Sequence, residues 1–394
     1  MIVSTPASGK EKILHKFEGG TDGSAPRTGL LADGGGTLYG TTFVGGGETG
    51  CFEGTRYGCG TVFEVLNGRT ETVLHAFAGG CDGAWPAGGV ISDADDNLYG
   101  TTASGGICNS DDGYGTVFKL APGGAESVLY AFQGADDGSA PVGNLVSDTN
   151  GNLFGTAAYG GETGGCGGPG CGVVFEVSAA GGETVLHTFL GGEDGSEPEG
   201  GLIMDGSGNL FGTTSDGGGS ANCDGGCGTV FEVAPDGTET ILYDFQGDTD
   251  GCLPMAGLIT DGAGNFYGTT EACGAADYGT VFKLTPDGSE TILHSFQAGS
   301  DGELPLAGVV MDEAGDLYGT TPYGGGTGCR KQGSGCGTIF EVTAKGREKI
   351  LYAFSNGRGS YPAAGLLLGM HGDMYGTTAF GGKGDNGVVF ELKR

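Results

Sequence analysis

EKILHKF, at residues 11–17, stands at the wrong end of the chain. Phrases of its kind, such as ETVLHAF (71–77) and ETILYDF (239–245), follow six copies of an alternating segment. Those copies are TVFEV (61–65), TVFKL (116–120), VVFEV (173–177), TVFEV (229–233), TVFKL (280–284) and TIFEV (338–342). The seventh copy, VVFEL at 389–393, has no follower because the sequence ends at Arg394. Ahead of each copy lies a third phrase: LYGTT at 38–42, 98–102 and 317–321, LFGTA at 153–157, LFGTT at 210–214, FYGTT at 266–270 and MYGTT at 374–378. Self-similarity at a fixed period of 51–60 residues reads as a propeller, solenoid or array. A first phrase that completes the last unit reads as a closed ring.

Within a unit, four short runs alternate apolar with polar or small residues, the period of a strand. In the fourth unit they are GLIMD (201–205), NLFGTT (209–214), GTVFEV (228–233) and ETILYDF (239–245). DGSGN (205–209) and APDGT (234–238) supply hairpin chemistry between them. Sustained helical periodicity is absent, and 91 glycines in 394 residues disfavour helices. The expectation is an all-β, seven-bladed β-propeller of four antiparallel strands per blade, a to d from the axis outward. Strand 11–17 joins the last blade and removes the open edges. Residues 1–10 form an arm and 11–394 a single domain.

The 12 cysteines fit that ring. Four units carry a close pair in the b–c loop: Cys51 with Cys59, Cys166 with Cys171, Cys223 with Cys227, and Cys329 with Cys336. The d–a loop entering a blade shares a rim with that blade's b–c loop, which pairs Cys81 with Cys108 and Cys252 with Cys273. Histidines do not accompany these cysteines, as they would in a zinc site. Six disulfides imply an oxidising, extracellular setting. No signal peptide is visible, and the sequence reads as a mature form with a start Met. No apolar run approaches the ~20 residues that span a bilayer.

Net charge is −32. Residues 78–300 hold 31 acidic side chains against Lys119 and Lys283, so blades 2 to 5 form an acidic arc and blades 6, 7 and 1 a nearly neutral one. Such a field argues against nucleic acid and anionic membranes as partners.

The units resemble the bacterial GloVer tandem repeat of secreted proteins. The residues that carry the resemblance are GGEDGSEPEGGL (191–202), TLYGTTFVGG (37–46) and the GTVFEV element, recurring in that order over about 11–394. Kelch and NHL propellers are more loosely similar. The resemblance implies an extracellular, cell-surface or matrix setting and no particular reaction. Anchored members continue beyond the last blade, whereas this sequence ends there.

Residues that recur in every unit are expected to be structural. His15, His75, His187 and His294 share one position of strand d with Tyr130, Tyr243 and Tyr352, a packing and hydrogen-bonding slot. Asp22, Asp82, Asp137, Asp194, Asp250 and Asp301 recur in the DG element and order the d–a loop as Asx turns. They are also candidate metal ligands, calcium being the cation such carboxylates take; no cofactor is otherwise required.

Function is sought in residues that break the repeat on the rim of d–a and b–c loops. Phe43, Tyr159, Asp216, Glu271, Tyr323 and Phe380 follow the GTT phrase. Trp85, Glu197, Leu253, Leu304 and Tyr361 precede a proline, and Arg27 and Glu199 follow one. On this reading Arg27, Phe43, Trp85, Tyr323, Arg358, Tyr361 and Phe380 form an aromatic, basic ligand-binding half. Glu197, Glu199, Asp216 and Glu271 form an acidic half. Aromatic faces suit a polysaccharide or an extracellular protein partner. Three functions follow: a non-catalytic binding or scaffold module, a glycoside hydrolase or lyase using the carboxylates or an Arg358/Tyr361 pair, or a self-associating fibre or layer subunit.

Overall fold

The computed structural model describes residues 10–47, 51, 58–66, 68, 70–108, 113–161, 165–166, 168–325, 329, 335–355 and 357–394. Its strands form seven four-stranded antiparallel sheets, each ordered a-b-c-d. Blade 1 comprises Leu31–Ala32, Leu38–Thr42, Thr61–Leu66 and Thr70–Ala76. Blades 2 to 6 repeat this over 91–131, 146–188, 203–244, 259–295 and 310–353. Blade 7 takes Leu367–Leu368, Met374–Thr378 and Val388–Lys393 from the end of the chain and Lys10–Lys16 from its start. The closing strand runs antiparallel to Val388–Lys393, from Lys10 opposite Lys393 to Lys16 opposite Val388. It begins one residue earlier than the 11–17 read from the sequence. Among the described residues no helix is long and apolar enough to cross a membrane.

The last four letters of the LYGTT phrase each have a physical task. The tyrosine or phenylalanine packs between blades, and in several blades its hydroxyl donates to the a–b turn aspartate, as Tyr99 does to Asp93 at 2.8 Å. The glycine lies under the phenylalanine of strand c. A Cβ at Gly212 would sit 2.6 Å from the Phe231 ring and 2.8 Å from Leu202, so only glycine fits. In every blade but the second, where the Thr101 hydroxyl has no partner, the first threonine ties its blade to the next. Thr213 donates to Ala256 O at 3.0 Å, and Thr377 of blade 7 donates to Thr28 O at 3.2 Å, which carries the tie across the closure. The second threonine bonds a threonine of strand c, as Thr214 does Thr229 at 2.8 Å. Blade 3 replaces that pair with apolar Ala157 and Val173, and blade 7 sets Thr378 against Val388, all equally buried.

The core lies between blades. At every junction the strand-d phenylalanine meets the strand-c phenylalanine of the next blade edge-on. The pairs run from Phe17–Phe63 through Phe189–Phe231 to Phe354–Phe390, with centroids 5.1–5.2 Å apart. Edge-to-face geometry suits the ring quadrupoles.

All six disulfides join the pairs expected from the loop positions, and no cysteine is free. Two of them, Cys81–Cys108 and Cys252–Cys273, tie a d–a loop to a b–c loop.

Candidate functional site: the loop-rich rim

In all seven blades the d–a loop bridges the b–c loop of its own blade, for example Ser196 with Asp216 and Ser360 with Phe380. The residue before the proline then takes a left-handed conformation: Ala25, Trp85, Ala140, Glu197, Leu253, Leu304 and Tyr361, with φ between 55° and 61°. Non-glycine residues rarely adopt this region, and it costs roughly 1–2 kcal/mol. Hydrogen bonds on both sides hold it. Tyr361 N donates to Cys336 O of blade 6 at 3.0 Å, while Ala379 N of its own blade donates to Tyr361 O at 3.0 Å. Glu197 is held likewise between Cys171 and Ser215. The backbone is thus uniform around the ring, and the side chain presented over each junction is free to vary.

The residues after GTT occupy two registers, which corrects their grouping as one set. Phe43 and Glu271 are the first residue, whose N–H bonds the left-handed residue's carbonyl. Tyr159, Asp216, Tyr323 and Phe380 are the second, which forms the loop bridge. Successive residues of an extended segment face opposite ways, so the two groups are not equivalent.

The aromatic half does assemble. Tyr361 stands edge-on to Tyr323 at 5.3 Å and tilted to Phe380 at 5.7 Å. Phe43 stacks on Trp85 at 6.1 Å, and the Arg27 guanidinium lies 5.1 Å over the Phe43 ring. Arg27, Tyr323, Tyr361 and Phe380 line a cavity of about 480 Å³, walled also by the Cys329–Cys336 disulfide and Asp385. All three aromatics are half-buried and Arg27 is exposed. Burial and the neighbouring Tyr323 raise the Tyr361 hydroxyl pKa, against an opposing pull from Arg27.

Arg358 does not belong to this set, which corrects its pairing with Tyr361. Its Nε and Nη2 both lie 2.6 Å from Glu11 Oε2, and Nη2 also donates to Glu11 O at 3.1 Å. Tyr352 donates to the same carboxylate at 3.1 Å. Arg358 therefore fastens the closing strand, and the arginine of the aromatic cavity is Arg27.

The acidic half is electrostatically coupled. Burial raises Glu199 to about 7, with Glu197, Glu271 and Asp216 adding to the shift. Burial and then Asp216 raise Glu197, burial and then Asp224 raise Asp216, and burial raises Glu271. Tyr159 is raised by burial and by Glu197, Glu199 and Asp216. Arg27 and Glu199, each following its proline, both line the axial channel of about 640 Å³. Arg27 thus belongs to cavity and channel alike, so the two halves open onto a shared axial mouth. That continuity was missed in the sequence, although their common place in the repeat signalled it.

Glu199 yields a pH prediction. Its folded pKa near 7 exceeds the ordinary ~4.3 of an unfolded chain. Between those values the folded ring keeps a proton that the unfolded chain has released, so stability falls as pH rises through the window. The melting temperature of Glu199→Gln is expected to gain on that of the parent between pH 4.5 and 7.5. A gap that stays constant with pH contradicts the assignment.

The DG aspartates cap their loops, as Asp22 Oδ2 does by accepting from Glu18 N at 2.8 Å and Asp82 Oδ2 from Ala78 N at 2.6 Å. The same carboxylates meet the His/Tyr slot. Tyr130 and Tyr243 donate to Asp137 and Asp250 at 2.7 and 2.9 Å, and His75 and His294 lie 3.2 Å from Asp82 and Asp301. On the opposite rim, a more apolar cavity of about 510 Å³ between blades 4 and 5 is lined by Ile203, Phe211, Ile241 and Phe266, with turn carboxylates at its edge.

Ring, blade order and closure define a seven-bladed β-propeller. The chain belongs to the Gloeobacter/Verrucomicrobia repeat family, whose model matches residues 2–225 and 219–394. No curated protein sequence matches it. Among solved structures, it is similar to one described as the extracellular domain of a proposed hybrid two-component system from B. thetaiotaomicron. That match has 11% identity and a TM-score of 0.56, covering 95% of this chain and 39% of that one. A gluconolactonase from Xanthomonas campestris is similar at 14% identity and TM-score 0.41, over 76% of this chain and 82% of that one. At such identities the likeness concerns the fold alone.

Proposed function

We propose that this protein is an extracellular binding propeller whose rim cavity takes a polysaccharide. The observation that carries the reading is the convergence of Tyr323, Tyr361, Phe380 and Arg27 on one 480 Å³ cavity. All four depart from the repeat, and the blade does not require aromatic residues there. Sugar C–H faces stack on such rings, and an exposed arginine donates to hydroxyls or carboxylates. Six disulfides support an extracellular setting.

Calorimetry against neutral and uronate-containing polysaccharides tests the reading. Binding by the parent is expected to weaken at least tenfold in Tyr361→Ala, since removing a stacked aromatic anchor costs about 2 kcal/mol or more. No binding across the set, or binding indifferent to Tyr361, rejects the proposal.

One observation favours a second reading. Glu199, raised to about 7 by burial and by Glu197, Glu271 and Asp216, also lines the axial channel, the place from which a general acid for glycoside hydrolysis would meet a bound chain. Release of reducing ends by the parent and not by Glu199→Gln would establish it.

A further inference from the structure

Outside the rim site, three sets of side chains converge between blades: His75, Asp82 and Glu126; His187, Asp194 and Glu239; His294, Asp301 and Glu348. In each set one ligand atom per residue lies within 4.8 Å of the others. The histidine comes from strand d of one blade, the aspartate from the loop that leaves it, and the glutamate from the first residue of strand d in the next blade. Glu126, Glu239 and Glu348 each bury an Oε1 with no hydrogen-bond partner, as Glu71, Glu183 and Glu290 do at other junctions, so what distinguishes these three sets is the close approach of a histidine nitrogen. Two carboxyl groups thus face one imidazole, which pairs with the aspartate, and among the described residues no lysine or arginine does so.

The junction between blades 6 and 7 shows what such a place accepts. There the aspartate is replaced by Arg358, and its guanidinium binds the homologous glutamate, Glu11, whose side chain is wholly enclosed. A permanent positive charge thus stands at the aspartate's place there and serves the glutamate of the next blade.

The donor chemistry selects the ion. Calcium takes six to eight oxygens, whereas one imidazole nitrogen and two carboxylates suit an ion of the zinc class, with water in the remaining position. His75 Nε2 lies 3.2 Å from each Asp82 carboxylate oxygen. Two ligands held ~2.0–2.1 Å from a tetrahedral ion stand about that far apart.

We propose that these three blade junctions are binding sites for a divalent transition-metal ion of the zinc class, each ion clamping one blade to the next. The Tyr130–Asp137–Glu183 and Tyr243–Asp250–Glu290 junctions lack the nitrogen ligand and serve as internal controls. His15, Asp22 and Glu71 offer the same residue types between blades 7 and 1 but do not converge to that distance, and no site is assigned there.

The test is calorimetric titration of the full chain, stripped with a chelator and dialysed, with zinc chloride at pH 7, alongside thermal melts. About three equivalents per chain are expected, with a rise in melting temperature. His75→Gln, His187→Gln and His294→Gln should each remove one equivalent. Tyr130→His should add one at Asp137 and Glu183, a gain that misfolding cannot imitate. Absence of stoichiometric uptake by the folded protein would overturn the proposal, as would uptake unchanged by the histidine substitutions. So would binding of calcium in preference to zinc.

Discussion

Truncating Phe17 to alanine is expected to destabilise the ring by about 3–5 kcal/mol, the range for removing a buried phenylalanine. Phe17 is fully buried, and its ring meets Phe63 edge-on at 5.1 Å. Six other junctions hold the same pair, but each of those joins blades that follow one another along the chain. The Phe17–Phe63 pair helps to hold a strand whose partners in its own sheet lie at the other end of the sequence. Its loss should therefore free Lys10–Lys16 and expose the edge of Val388–Lys393, an unpaired edge of the kind that seeds aggregation. Urea unfolding gives the cost, and hydrogen exchange at Val388–Lys393 locates it. A loss below about 1 kcal/mol, or exchange that rises evenly around the ring, would contradict the closure assigned here.

Arg358→Ala is expected to cost about 3 kcal/mol, because it leaves the enclosed Glu11 carboxylate without its cation. Half of the arginine side chain is exposed, yet the carboxylate it serves is not. The penalty consequently falls on the buried partner. Adding Glu11→Gln to the alanine variant should recover much of the loss, since a neutral amide needs no counter-ion and can still bond Tyr352. A double-mutant cycle in urea measures the coupling. A single-variant effect under about 0.5 kcal/mol would show that the pair is a dispensable surface bridge.

The fold was legible because each letter of LYGTT is constrained by contacts repeated around the ring. Gly212 is dictated by Phe231, Thr213 by the carbonyl of Ala256, and EKILHKF by the edge that VVFEL leaves unpaired. The disulfides were legible once the loops had a common rim. The rim site was legible only as departures from the repeat.

Three features lay beyond the sequence pattern for physical reasons. Arg358 stands three residues before Tyr361, but its partner Glu11 is 347 residues away, and the pairing exists only when the ring closes. The two registers after GTT differ by a single residue, and in extended backbone one residue reverses the facing side. The left-handed residue before each d–a loop proline is set by hydrogen bonds from two blades, as at Tyr361 between Cys336 and Ala379. No local propensity announces it in alanine, tryptophan or glutamate.

Trp85 is the only tryptophan in the chain, and it stacks on Phe43, whose ring carries Arg27, a residue that also lines the aromatic cavity. Its fluorescence therefore reports on the proposed site without a label. The most direct measurement is a titration of the intact protein with neutral and uronate-containing oligosaccharides, following that emission. A saturable change is expected for at least one of them, lost in Tyr361→Ala and retained in Phe211→Leu on the opposite rim. Emission that stays constant throughout, or changes equally in both variants, would contradict a glycan site on the loop-rich rim.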